Sequence, residues 1–161
     1  MLHIAIMGFG TVGAGVAEVV RMNAASIAEK TGEEVNVKYI LDVRDFPDSP
    51  YADKMIKDFA ILESDPEVEV VVESIGGAKV ALEFTRRALQ AGKHVVTSNK
   101  ELVATHGKEL LSIAKARGVN YLFEASVGGG IPVLRPLFED LSANQIEEIV
   151  GILNGTTNYI L

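Results

Sequence analysis

Three glycines carry the first chemistry. Gly8, Gly10 and Gly13 in the stretch GFGTVG match G-x-G-x-x-G. Gly8 permits a tight turn, Gly10 lets the backbone approach a diphosphate, and Gly13 allows close packing of helix on strand. The helix that follows would offer unpaired N–H groups and a partial positive charge to that diphosphate. A lone match is weak among 15 glycines, but this one leaves an apolar strand and opens a helix, the context that gives it meaning. Ala14 follows Gly13, so the Lys-Ser/Thr of a P-loop is missing.

An acid is expected at the end of the second strand, about 20 residues further on. Asp42 in ILDVRD is the candidate, 29 residues after Gly13. It could accept a ribose hydroxyl, which favours NAD, while Arg44 could pair with a 2′-phosphate, which favours NADP. A plain Asp–Arg surface pair is the other reading, and the sequence leaves NAD against NADP open. Lys100 follows a strand in TSNKEL. An ordinary lysine is solvated, but one at the carboxyl end of a sheet strand lies where ligands bind, and its ammonium could hold or protonate a substrate oxygen. In FEASVGGGIP a strand delivers Glu124 and then three glycines with bare carbonyls. Hard oxygens of that kind suit alkali or alkaline-earth cations; the competing reading is a flexible domain junction.

The elements that must position these residues alternate. Strand-like runs at 2–8, 35–42, 68–77, 94–100 and 119–130 are separated by helical patterns at 11–32, 78–93 and 107–118. Val12, Val16, Val19 and Val20 fall at helical spacing in the first helix, and Gly32, Gly92 and Gly118 suit helix ends. Strands that alternate with helices, without hairpin dipeptides, predict an α/β fold: a Rossmann-type doubly wound parallel sheet covered on both faces. The apolar run IVGIL at 149–153, before NGTTN, reads as a further strand.

Bulk composition narrows the partners. With 15 basic and 22 acidic residues, a net charge of −7 and no basic cluster, the chain fits neither nucleic acid nor an anionic membrane. The absence of cysteine excludes disulfides, thiolate zinc sites and a cysteine nucleophile. The first residues lack a basic region before a long apolar run, so the reading is cytoplasmic.

Taken in order, IAIMGFGTVGAGV, VVTSNKELVA, FEASVGGGIPVLRPL and GILNGTTNYIL closely resemble homoserine dehydrogenase. The resemblance covers nearly the whole chain and is weakest from Arg44 to Glu67. It implies NAD(P)H-dependent interconversion of L-aspartate 4-semialdehyde and L-homoserine in threonine and methionine biosynthesis, with NADP or NAD as cofactor. It implies that Gly8, Phe9, Gly10, Thr11, Val12 and Gly13 line the cofactor and that Lys100 meets both nicotinamide and substrate. A sodium ion would be held by the Glu124 carboxylate with the carbonyls of Val127, Gly129 and Ile131.

The expected organisation is a dinucleotide-binding domain over 1–130, with 131–161 opening a catalytic and dimerisation domain. On that reading the substrate-binding acids lie beyond the chain, which is a cofactor-binding part of a longer homo-oligomeric enzyme and inactive alone. The alternative is a dinucleotide-binding sensor or regulatory module without catalysis; Lys100 and Glu124 argue against it, since a sensor needs neither.

Overall fold

The computed structural model describes residues 1–151. Six strands form one parallel sheet: β1 (Leu2–Met7), β2 (Val35–Leu41), β3 (Met55–Ile56), β4 (Val68–Glu73), β5 (His94–Thr97) and β6 (Tyr121–Leu122), in spatial order β3-β2-β1-β4-β5-β6. The chain builds outward from β1 to β3, returns to β4 beside β1, and builds outward again to β6. Connections therefore leave β1 and β4 in opposite directions, opening a crevice at the carboxyl ends of these two strands. Met7 faces Glu73 in register, and Glu73 faces Thr97, so three strand ends meet at that crevice.

Alternation along β1 shows why both faces are covered. Ile4 and Ile6 pack with Val37, Ile40 and Ala17 of α1 (Thr11–Met22) on one face. Ala5 and Met7 pack on the other with Val71, with Phe59 and Leu62 of α3 (Phe59–Ser64), and with Ala81, Ala88 and Leu89 of α4 (Lys79–Gln90). Leu110 and Ala114 of α5 (Lys100–Arg117) complete that layer. Near-continuous apolar strands such as VEVVVE are what a sheet buried on two sides requires.

Several boundaries differ from the sequence reading. The helical pattern over 11–32 is two helices, α1 and α2 (Ala24–Thr31), broken at Asn23, whose amide donates to the Val19 carbonyl. The inward face of α1 is made by Gly13 and Ala17 with Val16 and Val20, whereas Val12 and Val19 are exposed. Small residues on the inner face let the helix lie close to β1. Helix α5 begins at Lys100, seven residues before the expected start, because Asn99 caps it by accepting the Leu102 N–H at 3.0 Å. Of the strand expected over 149–153, Ile149, Val150 and Gly151 are irregular; a strand gains little without a neighbour to pair with. Ile152 and Leu153, with the NGTTN block, lie outside the described residues.

Candidate functional site

The turn after β1 is shaped by what its glycines touch. Gly8 has φ +90°, and a Cβ there would sit 2.9 Å from the Ser74 carbonyl oxygen. A Cβ on Gly13 would lie 1.9 Å from the Gly8 oxygen. Neither position tolerates a side chain. Gly10 differs: its nearest neighbour would be Arg44 Nη2 at 4.0 Å, so the space over it is open to a ligand.

Ser74, the first residue after β4, locks this turn. Its N–H donates to the Met7 carbonyl at 2.9 Å, and its hydroxyl to the Gly8 carbonyl at 2.9 Å. Helix α1 then starts without a side-chain cap and without an acid in its first turn. Among the described residues the N–H groups of Thr11, Val12 and Gly13 have no acceptor, the arrangement that attracts a phosphate.

A cleft of about 330 Å³ runs beside the turn, bordered by Gly8, Gly10, Asp42, Arg44, Lys57 and Ile75 among others. Asp42 is buried at its edge and accepts four bonds: from Phe9 N–H at 2.7 Å, and from Arg44 N–H, Nε and Nη2 at 2.9, 3.0 and 2.9 Å. The Arg44 guanidinium, ahead of its backbone N–H and that of Phe9, holds the Asp42 carboxyl well below the usual range. A carboxylate has about four lone-pair positions, so Asp42 has none to spare. Asp42 and Arg44 form a pair at the cleft's edge, with the guanidinium 58% exposed and the carboxylate 6%. The Phe9 ring packs edge-on against Phe46 and Tyr51 at 5.1 and 6.0 Å in the core.

A second cleft, of about 500 Å³, adjoins the first. Lys100 and Ser98 line it with the turn after β4 and with Ala125–Gly129, and Ser74, Ile75 and Gly76 border both clefts. Lys100 stands exposed at the first position of α5, at the carboxyl end of β5. Glu73, at the end of β4 just before Ser74, is fully buried. Its oxygens accept Ile75 N–H at 2.7 Å and the Thr97 hydroxyl at 2.5 Å. Burial pushes its carboxyl up, and the Thr97 and Ile75 donors oppose that shift.

Glu124 accepts three backbone N–H groups: Val133 at 2.5 Å, Leu134 at 3.0 Å and Arg135 at 2.7 Å. These donors, Val133 first, pull its carboxyl below the ordinary value. Among the described residues the Val127, Gly129 and Ile131 carbonyls accept no hydrogen bond, whereas the Gly128 carbonyl takes the Ile131 N–H at 3.1 Å.

Residues 8–124 match the family described as "Homoserine dehydrogenase, NAD binding domain", and residues 132–161 match the family described as "Homoserine dehydrogenase". The chain belongs to the homoserine dehydrogenase family. It is 44% identical over 161 residues to homoserine dehydrogenase of Pseudomonas aeruginosa, covering 99% of this chain and 37% of that protein. It is 41% identical to that of Bacillus subtilis, with 99% and 38% covered. The crystal structure of a homoserine dehydrogenase from Thiobacillus denitrificans superimposes with a TM-score of 0.90 at 42% identity, over 99% of this chain and 37% of that one. A hyperthermophilic archaeal homoserine dehydrogenase in complex with NADPH gives a TM-score of 0.68 at 27% identity, over 84% and 47%. The chain thus spans about 37–38% of the length of these curated relatives.

Within this homoserine dehydrogenase fold, the expected residues divide into groups. Gly8, Gly10, Asp42 and Arg44 share one cleft, Thr11 and Val12 stand exposed where α1 begins beside it, and Lys100 borders the other. Gly129 joins Lys100 in the second cleft, while the Glu124 carboxylate turns toward the segment after Ile131. Glu73, Ser74 and Thr97 were missed as site residues. Their signal was available: polar side chains closing otherwise apolar strands, at the end of the sheet where ligands bind.

Proposed function

We propose that this chain is the cofactor-holding part of a homoserine dehydrogenase that interconverts L-aspartate 4-semialdehyde and L-homoserine with a nicotinamide dinucleotide. The observation that carries the reading is the shared wall: Ser74, Ile75 and Gly76 separate a cleft ending at a phosphate-ready helix from one holding Lys100. A bound nicotinamide supplies or accepts the hydride. The chain's own groups do the rest: the α1 N–H groups hold the diphosphate, Ser74 keeps the glycine turn rigid, and Lys100 offers an ammonium to the substrate oxygen whose proton moves. The two family matches, at 8–124 and 132–161, support a division near residue 130 between cofactor domain and the opening of the catalytic domain.

NADP is the favoured cofactor on the cleft's chemistry. Asp42 has no free lone pair, while the Arg44 guanidinium and the Lys57 ammonium both border the cleft and suit a 2′-phosphate. For sodium, Glu124 keeps one lone-pair position beyond its three N–H bonds, and the Val127, Gly129 and Ile131 carbonyls supply further hard oxygens. Binding of NADPH and NADH is compared by nicotinamide fluorescence in wild type and Arg44→Ala, with homoserine oxidation assayed in the longer enzyme that carries this chain. Loss of one charge-assisted contact weakens NADPH by about 10- to 100-fold and leaves NADH nearly unchanged. Equal losses for both cofactors would remove the 2′-phosphate assignment, and an absence of homoserine turnover by the longer enzyme that carries this chain would remove the catalytic one.

A further inference from the structure

We propose that Glu73 is a positioning residue for Lys100: through Thr97 and Asn99 it fixes the turn carrying the lysine against the turn bordering the cofactor cleft. The inference rests on the reading of the two clefts as cofactor and substrate sites.

Glu73 is 0% exposed, yet no Lys, Arg or His among the described residues pairs with it. Burying a carboxyl costs stability unless its hydrogen bonds accomplish something, and Val71 shows that an apolar side chain serves elsewhere in the same strand. Its bonds form a closed ring. Glu73 accepts the Ile75 N–H and the Thr97 hydroxyl; Thr97 Oγ1, itself 1% exposed, accepts the Asn99 N–H at 2.9 Å. Asn99 Nδ2 returns to the first turn, donating to the Ile75 carbonyl at 3.1 Å and the Gly77 carbonyl at 2.8 Å. Ile75 is thereby gripped at both its N–H and its carbonyl.

Asn99 also caps α5, whose first residue is Lys100. The backbone bearing the ammonium is therefore tied to a buried group in the central sheet rather than to its own helix alone. On the opposite side Ser74, adjacent to Glu73, clamps the Gly8 turn. Two neighbouring residues at the end of β4 thus set both halves of the site in one frame.

The test is Thr97→Val, which removes the hydroxyl bridge at constant shape, with Thr97→Ser as the conservative control. Lys100 is observed by NMR after reductive 13C-methylation, its signal assigned with Lys100→Arg; NADPH affinity is measured on the unmodified chain, and kcat and KM on the longer enzyme that carries it. In Thr97→Val the Lys100 signal shifts and kcat falls roughly tenfold or more, while NADPH affinity stays within about twofold because the Glu73–Ile75 bond remains. Thr97→Ser restores the signal and kcat. An unmoved Lys100 signal, an equal collapse of NADPH affinity, or failure of Thr97→Ser to restore would each overturn the proposal. If the wild-type longer enzyme does not turn over homoserine, the catalytic reading falls, and the Lys100 signal still decides this inference.

Discussion

Two glycine-rich turns lie at the same end of the sheet, and they are built on opposite terms. In the turn after β1, Gly8 and Gly13 are enforced by the chain itself: their missing Cβ atoms would strike backbone at 2.9 and 1.9 Å. In the turn after β6, Gly128 is enforced by the Ile131 oxygen and the Val133 side chain, each at 2.8 Å, and Gly129 by its left-handed backbone at φ +61° with nothing within 4 Å, while Gly130 meets nothing within 4 Å and has no such backbone. The first turn is completed by contacts within the described fold. The second presents open backbone beside Lys100. A glycine can thus be required by its neighbours or by the space it leaves, and substitution separates these cases.

The largest effect belongs to Gly13→Ala. Relief of the overlap with Gly8 forces α1 away from β1, at about 3 kcal/mol. Thermal unfolding should show a Tm lower by roughly 6–12 °C, and cofactor binding should go with it. A Tm within 2 °C of wild type would mean that the two turns do not differ as described.

Gly10→Val sharpens the contrast. Gly10 has φ −82° and ψ −163°, a backbone any residue adopts, and its Cβ would have 4.0 Å of clearance. Stability should change by less than about 1 kcal/mol, yet NADPH affinity should fall by roughly 100-fold as the side chain fills the diphosphate path. Normal binding would place the cofactor elsewhere.

A smaller effect is expected at Glu124. Its folded carboxyl titrates below the unfolded value of about 4.3 because of the Val133, Arg135 and Leu134 N–H groups. The stabilisation is therefore present above that pH and disappears as pH falls through the folded value. Glu124→Ala should lower Tm at pH 7, and the gap to wild type should close in strongly acidic buffer. A gap that widens on acidification would contradict the sign. The smallest effect is Gly130→Ala, expected to shift stability by less than about 0.5 kcal/mol by chemical denaturation.

The sequence made some of this legible and hid the rest for physical reasons. Central strands β1, β2, β4 and β5 are apolar runs buried on both faces, so they stand out in the sequence. The two-residue strand β3 and the six-residue helix α3 are too short for periodicity to register. The early start of α5 was carried by one cap residue, Asn99, inside a segment that looks like strand. Gly8, Gly10 and Gly13 could be placed because their spacing follows local geometry, whereas Asp42 could not be resolved between ribose acceptor and arginine partner. That outcome depended on whether Phe9 and Arg44 fold back onto the carboxylate, and neither distance is written in sequence separation.

The central claim is that the open N–H groups at the start of α1 hold the dinucleotide. The direct measurement is a 1H–15N titration of the chain with NADPH, with NADH alongside. The account predicts the largest shifts at the amides of Gly10, Thr11, Val12, Gly13 and Ile75, with the Arg44 side-chain resonance moving for NADPH alone. Shifts centred on α2 or on the segment after Glu124, with the Gly10–Gly13 amides unmoved, would contradict it.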